Sequence, residues 1–490
     1  MESNFLLIVP MIVPVLAGFC VRFLRDEKKQ NYVTIFALCV TCLVLFLLPQ
    51  ISLKEMTLWD MVEHLPIFYF VDGMAYFFAV FVAIIWLLVG IYATLYMQHE
   101  EMQGEFYFSY LLTLGTMMSL SFSGNLITMY FSYEMMTLAT FPLVIHSRNK
   151  KAMRAGLKYI GYSMFGAGLG LFGFFFLTTN GIPMDFIAGG VGDAIFTNDH
   201  QQPLLVVCFL MILGFGGKAG VFPLHSWLPS AHPVAPSPAS AVLSSIITKA
   251  GVFCVIRITY YIFGAKFLEG TWVQFAYIAL AIVTIFMGSM LAYREKSVKK
   301  RFAYSTVSQV SYILLGLMML TPDGFLGAML HIVMHGIGKS ILFLTAGVVL
   351  YETGYTQISQ YVGLGRKMPM TFFAFTIATL SMVGIPPLGG FLSKWYLAQG
   401  TLSSMLGEFG IFPILLLLFS ALVTAGYLFS IVYVAYFNEK EDAIEEERVL
   451  SDPGHAMTMP MVVFAVLLLV FGIMPYGLLQ VFTGIGSHLF

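Results

Sequence analysis

The decapeptide GFGGKAGVFP, residues 214–223, interrupts an apolar run of helix length with four glycines, a proline and Lys218. Further along, GIPPLGG, residues 384–390, does the same, and Lys394 follows just beyond it. Glycine and proline weaken a helix by entropy and by a missing N–H, so each stretch breaks a helix at membrane depth. Interrupted helices in corresponding positions of two halves are a mark of inverted repeats with the ion site at the break. Plain kinking, common in membrane helices, is the competing reading. A lysine beside each break favours the ion site.

Composition supports a lipid setting. Hydrophobic residues make up 59% of the 490, charged residues 10%, and mean hydropathy is +0.85. A soluble domain carries about 25% charged residues, so the surrounding solvent is lipid. No basic stripe is present, and nucleic acid is excluded as a partner. Cys20, Cys39, Cys42, Cys208 and Cys254 all lie in apolar runs. Cys39 and Cys42 form a C-x-x-C without a second pair, which reads as helix filler rather than a redox or metal site. There is no G-x-G-x-x-G after a strand, no Walker A stretch and no cysteine ladder. No cofactor or metal is therefore expected in this chain. The first apolar run, 5–23, is expected to be a retained helix rather than a cleaved leader.

A span needs about 20 apolar residues. On that length fourteen helices are expected, at residues 4–22, 31–50, 73–97, 105–123, 125–145, 155–178, 204–222, 238–262, 270–292, 301–320, 324–351, 371–398, 409–437 and 458–484. The expected fold is an all-α polytopic membrane protein with helices 7 and 12 broken. Two inverted five-helix units are expected, helices 4–8 and 9–13. The divisions are 1–104 for helices 1–3, 105–262 and 270–437 for the repeats, and 438–490 for an acidic loop and helix 14. Arg22, Arg25, Lys28, Lys29, Arg148, Lys150, Lys151, Arg154, the run Arg294 to Arg301, Arg366 and Lys367 then fall on one side. That side is cytoplasmic by the positive-inside rule, with both termini outside. Glu439 to Glu447 has no reading beyond a surface loop or short helix.

Ionisable groups at the bilayer centre cost about 2.5–3.5 kcal/mol on insertion scales, so each needs a reason. Glu134 lies mid-way along helix 5, and any neutralising partner comes from another helix. Lys218 in broken helix 7 is one such partner, and the two would form a switchable pair; a structural ion pair is the alternative. Lys249 lies mid-way along helix 8, too deep to snorkel easily. His225 and His232 flank Trp227 after the first break, as proton carriers or as polar loop histidines. His331, His335 and Lys339 follow at spacings of four, on one helix face, climbing about 12 Å. That ladder reads as a relay or a polar seam, and no carboxylate stands by it to complete a metal site. Lys394 and Lys158 are closer to helix ends, where snorkelling competes. Asp72 reads as the N-cap of helix 3.

Residues 214–253, GFGGKAGVFPLHSWLPSAHPVAPSPASAVLSSIITKAGVF, resemble the antiporter-like subunits of respiratory complex I, Mrp sodium/proton antiporters and energy-converting membrane-bound hydrogenases. KRFAYSTVSQVSYILLG (300–316), HIVMHGIGKSILFLTAGVV (331–349) and GIPPLGGFLSK (384–394) resemble the same family, over about 70–400. The HPVAPSPASAVLS stretch is most similar to the hydrogenase and formate hydrogenlyase branch, and the length to an Mrp D-type subunit. The resemblance implies fourteen helices with two inverted repeats. It implies that Glu134, Lys218, Lys249 and Lys394 serve ion translocation, with His225, His232, His331, His335 and Lys339 connecting them. Asp72 falls in the family's D-G start of helix 3. The long lateral C-terminal helix of some members is missing, and the acidic segment 439–447 matches no family feature.

The expected function is proton or sodium translocation within a multisubunit redox-driven pump in the cell membrane. Protons would approach Lys218 from the cytoplasm, pass Lys249, His331 and His335, and leave near Lys394, with Glu134 modulating Lys218. Lys158 is counted with the relay. Partners would be a second antiporter-like subunit and redox subunits holding the iron–sulfur centres. An Mrp-type antiporter subunit or a stand-alone cation/proton antiporter are the alternatives, and so is a structural subunit with vestigial charges.

Overall fold

The computed structural model describes residues 5–50, 55–62, 65–192, 195, 201–438 and 450–490; the acidic segment 439–447 lies outside the described residues. The chain forms α1 (Phe5–Phe23), α2 (Glu27–Leu47), α3 (Gly73–Tyr96), α4 (Gln103–Ser121), α5 (Leu126–Val144) and α6 (Lys150–Thr179). There follow α7 (Gln201–Ala219), α8 (Ser237–Phe263), α9 (Trp272–Arg294), α10 (Val298–Met318) and α11 (Pro322–Thr353). The last are α12 (Pro369–Val383), α13 (Gly389–Leu402), α14 (Ile411–Phe437), α15 (His455–Ile473) and α16 (Tyr476–Gly486). Among the described residues ten helices are long and apolar enough to cross a membrane. The protein is a multi-pass, mostly helical integral membrane protein.

Burial is inverted relative to a soluble protein. Large apolar side chains such as Leu16, Leu138, Phe165 and Leu422 face outward. Polar ones such as Lys218, Lys249, Arg257, His331 and Lys339 are buried. With lipid outside, an outward leucine costs nothing and a polar group must find its partners inside. The membrane-length stretches of α8 and α11 are wholly enclosed, while the other spans present between a third and two thirds of their residues to the interior. The charges midway along α8 and α11 are therefore cut off from lipid.

Both glycine–proline stretches break their helices. The first six residues of GFGGKAGVFP remain helical, and α7 ends at Ala219, three residues before the expected end. Gly220 then takes φ +91°, a conformation that disfavours any side chain. A single turn, Leu228–Ala231, separates it from α8. The second break runs between α12 and α13, where Gly384 takes φ +93°. There Gly390 lies so close to the Ser381 carbonyl that a Cβ would collide with it.

Several expected boundaries shift. The α6 helix starts five residues early, at Lys150, capped by Asn149, whose side chain accepts from Ala152 N. Lys158 is accordingly two turns inside it rather than one. The expected helix 458–484 is two helices, because Pro475 removes an N–H and pushes Met474 out of helical geometry (φ −123°, ψ 66°). The stretch between α2 and α3, expected as a loop, holds an antiparallel hairpin, β1 (Glu55–Val62) and β2 (Leu65–Phe70). It is tied down by Phe68 N donating to Thr128 Oγ1 (2.9 Å) and Asn125 Nδ2 donating to the Pro66 carbonyl (2.9 Å).

Candidate functional site

Lys249 is fully buried near the middle of α8. The turn before it, Leu243–Ile247, is widened to a π-helix, and the Ser244 carbonyl there accepts from Lys249 Nζ (2.8 Å) and from Thr248 Oγ1 (2.7 Å). Single π turns recur at functional sites because they redirect a carbonyl or side chain. Lys249 Nζ also meets His335 Nδ1 of α11 at 2.5 Å. The other ring nitrogen of His335, Nε2, is buried without a protein partner.

The line continues along α11. The rings of His335 and His331 stack with centroids 5.8 Å apart. His331 bonds Ser393 Oγ of α13 through Nδ1 (2.9 Å) and Gln309 Oε1 of α10 through Nε2 (3.1 Å). On the other side of His335, Lys339 Nζ donates to the Phe302 carbonyl (3.0 Å). The structure thus brings Lys249, His331, His335 and Lys339 into one buried file. α11 can carry it because Thr321 caps its start, accepting from Gly324 N, and Gly354 ends it in the left-handed conformation.

The two break lysines stand in related surroundings. Lys218 lies in the last turn of α7 and donates to Thr137 Oγ1 (2.8 Å), Tyr159 OH (2.8 Å) and Ser163 Oγ (3.0 Å). Its ammonium also sits over the Tyr159 ring, 4.3 Å from the centroid. Lys394, in α13, donates to the Met382 and Val383 carbonyls (both 2.7 Å), the last of α12. Helix C-termini carry unpaired carbonyls and the negative end of the dipole, so a cation is favoured at each.

Glu134 is half-buried on α5 and interacts electrostatically with Lys218, but the two form no ion pair within 4.0 Å. The three hydroxyls take the ammonium in its place. Lys158 Nζ donates to Ser230 Oγ (3.2 Å), beside the first break. The irregular 220–236 segment separates the surroundings of the flanking histidines. His225 is half-buried against Phe222, while His232 is fully enclosed and stacks on Phe343 of α11 at 4.5 Å. Neither ring nitrogen of His232 has a partner.

One charged pair was not legible in advance. Asp72 caps α3, accepting from Ala75 N (2.7 Å), and also receives two bonds from Arg257 of α8 (2.6 and 2.9 Å). Arg257 is fully buried in a cage of Phe186, Phe253 and Tyr261. An arginine eight residues after Lys249 in one apolar span was the available signal. Gln309 and Ser393 had no signal, since neutral polar residues are ordinary in packed membrane helices. Among the described residues no group of three or more His, Cys, Asp or Glu side chains is placed to hold a metal ion.

Fold and site together define a class: a polytopic membrane protein whose enclosed central helices carry a buried file of ionisable side chains. Residues 123–424 match the transmembrane family of NADH:quinone oxidoreductase and Mrp antiporter subunits, and the chain belongs to that family as an antiporter-like membrane subunit. It is 32% identical over 371 residues to NADH-quinone oxidoreductase subunit N of Desulforudis audaxviator, covering 75% of this chain and 72% of that one. To the D-type subunit of the Na(+)/H(+) antiporter of Bacillus subtilis it is 27% identical over 480 residues, covering 96% and 94%. To Hydrogenase-4 component B of Escherichia coli it is 30% identical over 347 residues, covering 68% and 50%. Among solved structures, an archaeal membrane-bound sulfane sulfur reductase complex has a similar chain (TM-score 0.82, 26% identity, covering 96% of this chain and 76% of that one). A chain of the Mrp complex from Dietzia shares the fold (TM-score 0.86, 21% identity, covering 100% and 98%).

Proposed function

We propose that this chain is the ion-translocating membrane subunit of a multisubunit redox-driven pump, moving protons or sodium ions through the file centred on Lys249. The observation that carries this reading is the 2.5 Å contact between Lys249 Nζ and His335 Nδ1, inside two wholly enclosed helices. A lysine proton given to Nδ1 is balanced when Nε2, which has no protein partner, releases its own proton to a water admitted beside it, so the ring hands a proton on without turning. His331 extends the file to Ser393, beside Lys394. Lys218, with Glu134 in electrostatic reach, is the second switching point, with the half-buried Lys158 and His225 toward the surface and the enclosed His232 as a further relay position. Asp72 is a cap held by Arg257.

The same reading divides the chain into fourteen spans, with inverted repeats at 105–262 and 270–437 between 1–104 and 438–490. The lysines at the carbonyl ends of α7 and α12 support that symmetry. The chain lies in the cell membrane with both termini outside. Redox centres belong to partner subunits, since the relatives include subunits of NADH-quinone oxidoreductase and Hydrogenase-4. A second reading, a subunit of an Mrp-type antiporter, is favoured by the near end-to-end match with the D-type antiporter chain of Bacillus subtilis.

Replacing His335 by Leu keeps the packing volume and removes the acceptor of Lys249. Translocation in vesicles is expected to fall at least about tenfold with the complex still assembled. An unchanged rate would exclude this ring from the path. Copurification from gently solubilised membranes separates the two assemblies. Iron–sulfur subunits identify the redox pump, and small membrane subunits alone identify the antiporter.

A further inference from the structure

Beyond the kink at Pro475, α16 runs along the start of α3. Phe482 meets the Phe77 ring edge-on, with centroids 4.7 Å apart, and Ile485 lies against Gly73. Between α3, α15 and α16 an apolar groove of about 740 Å³ is left open, with the buried Val333 and Ile337 of α11 as its floor. Val80 and Ile84 of α3 and Phe464 and Phe471 of α15 form its sides. Val481 and Gly484 of α16 are exposed on its lip, so the groove opens to lipid. Its volume falls within the roughly 300–1,000 Å³ of small-molecule sites.

The groove is polar at one end, where α3 begins. Asp72, Tyr261 of α8 and the exposed His488 stand there, at the end of the bundle opposite the basic loops. Gln480, on the exposed side of α16, lies about two turns deeper. From Gly73 to Ile85, its deepest residue on this wall, α3 climbs about 18 Å at 1.5 Å per residue. One leaflet of the hydrocarbon core is about 15 Å thick, so the groove has the depth of a single acyl layer. A second cavity, of about 140 Å³, shares Asp72, Gly73 and Tyr76 with the first and is otherwise lined by Leu7, Leu48, Pro49 and Val71. Two apolar cavities meeting at one carboxylate fit an amphiphile with two chains and one head. The single tail of a quinone leaves the second cavity empty. Among the described residues no lysine or arginine lines either cavity, so an anionic headgroup finds no counter-charge. A carboxylate offers roughly four acceptor sites. Ala75 N and Arg257 take three of them on Asp72, whose side chain is 19% exposed. A primary ammonium can donate to the fourth, whereas a quaternary choline nitrogen carries no N–H.

We propose that the groove is a binding site for one two-chain phospholipid with an ethanolamine headgroup, held at Asp72. The ammonium bonds the Asp72 carboxylate, and the phosphate lies on the side of His488. One chain fills the groove between α16 and the floor formed by α11, and the second starts in the smaller cavity and continues into the bilayer. The lipid thereby packs α16 against α3 and α11. The assignment involves no step of ion movement and stands apart from the translocation reading.

Gly484→Trp tests the site directly, because a Cβ at Gly484 meets no atom within 4 Å and the indole has the groove to enter. Wild-type and variant complexes are purified in mild detergent from membranes that contain phosphatidylethanolamine, phosphatidylglycerol and quinone. Bound lipids are then extracted and counted by mass spectrometry. The wild type is expected to retain a further phosphatidylethanolamine per chain that the assembled Gly484→Trp complex lacks. Equal phosphatidylethanolamine counts would overturn the site, and a partner helix seated in the groove would give that result. Loss of phosphatidylglycerol or quinone in its place would overturn the occupant. If Gly484→Trp fails to assemble, Val481→Trp, which enlarges an exposed side chain on the same lip, decides by the same count.

Discussion

At the scale of single residues the chemistry is that of cations denied water. Lys218, Lys249, Lys339 and Lys394 each end on hydroxyls, carbonyls or an imidazole rather than on a carboxylate. Such neutral partners hold an ammonium without fixing it, as a counter-charge would. Arg257 is the contrast, bound by two bonds to Asp72. Removing one side of a buried pair strands the other and costs about 3–5 kcal/mol. Asp72→Ala is thus expected to lower the thermal stability of the purified complex clearly, and Asp72→Ala/Arg257→Leu to recover part of it. Equal loss in the double variant would show that the pair matters through the cap and not through its charge. The lysines and histidines of the file were legible because charge in an apolar span is conspicuous. Their partners were not, because serine, threonine and glutamine carry no such contrast, and hydrogen bonds between distant helices leave no trace in local pattern.

Among the elements, the breaks decide most. Their existence followed from glycine and proline content, and their placement did not. Lysine-bearing residues 214–219 stay helical because all of them pack inside against neighbouring helices, Gly214 lying directly against the Gly166 backbone. A Cβ at either glycine would collide with the carbonyl of the other. Gly214→Val is therefore expected to separate α6 from α7 and to reduce the amount of assembled protein in the membrane sharply, read by quantitative blotting. Normal assembly would show that this contact yields easily. The hairpin between α2 and α3 escaped notice for a different reason. Its register shifts between Thr57 and Trp59 and again between Asp60 and Val62, which blurs the alternation that marks a strand.

The whole molecule is organised around α8 and α11, whose enclosure keeps the buried lysines and histidines away from lipid. Most helix positions could be read from hydropathy with errors of a few residues, since length and apolarity are fixed by the bilayer, although 458–484 is two helices and ten of the described helices are long and apolar enough to cross. Which spans lie at the centre could not, because the hydropathy of α8 and α11 falls within the range of the other spans. The enclosed polar residues set them apart, and in a sequence such residues mark a candidate site as readily as a buried helix. The most direct measurement is proton translocation by the assembled complex in vesicles, with Lys249 replaced by Ala. Translocation is expected to vanish while assembly and any partner redox activity persist. A complex that still pumps at its normal rate would show that the buried file is structural and that ions cross elsewhere.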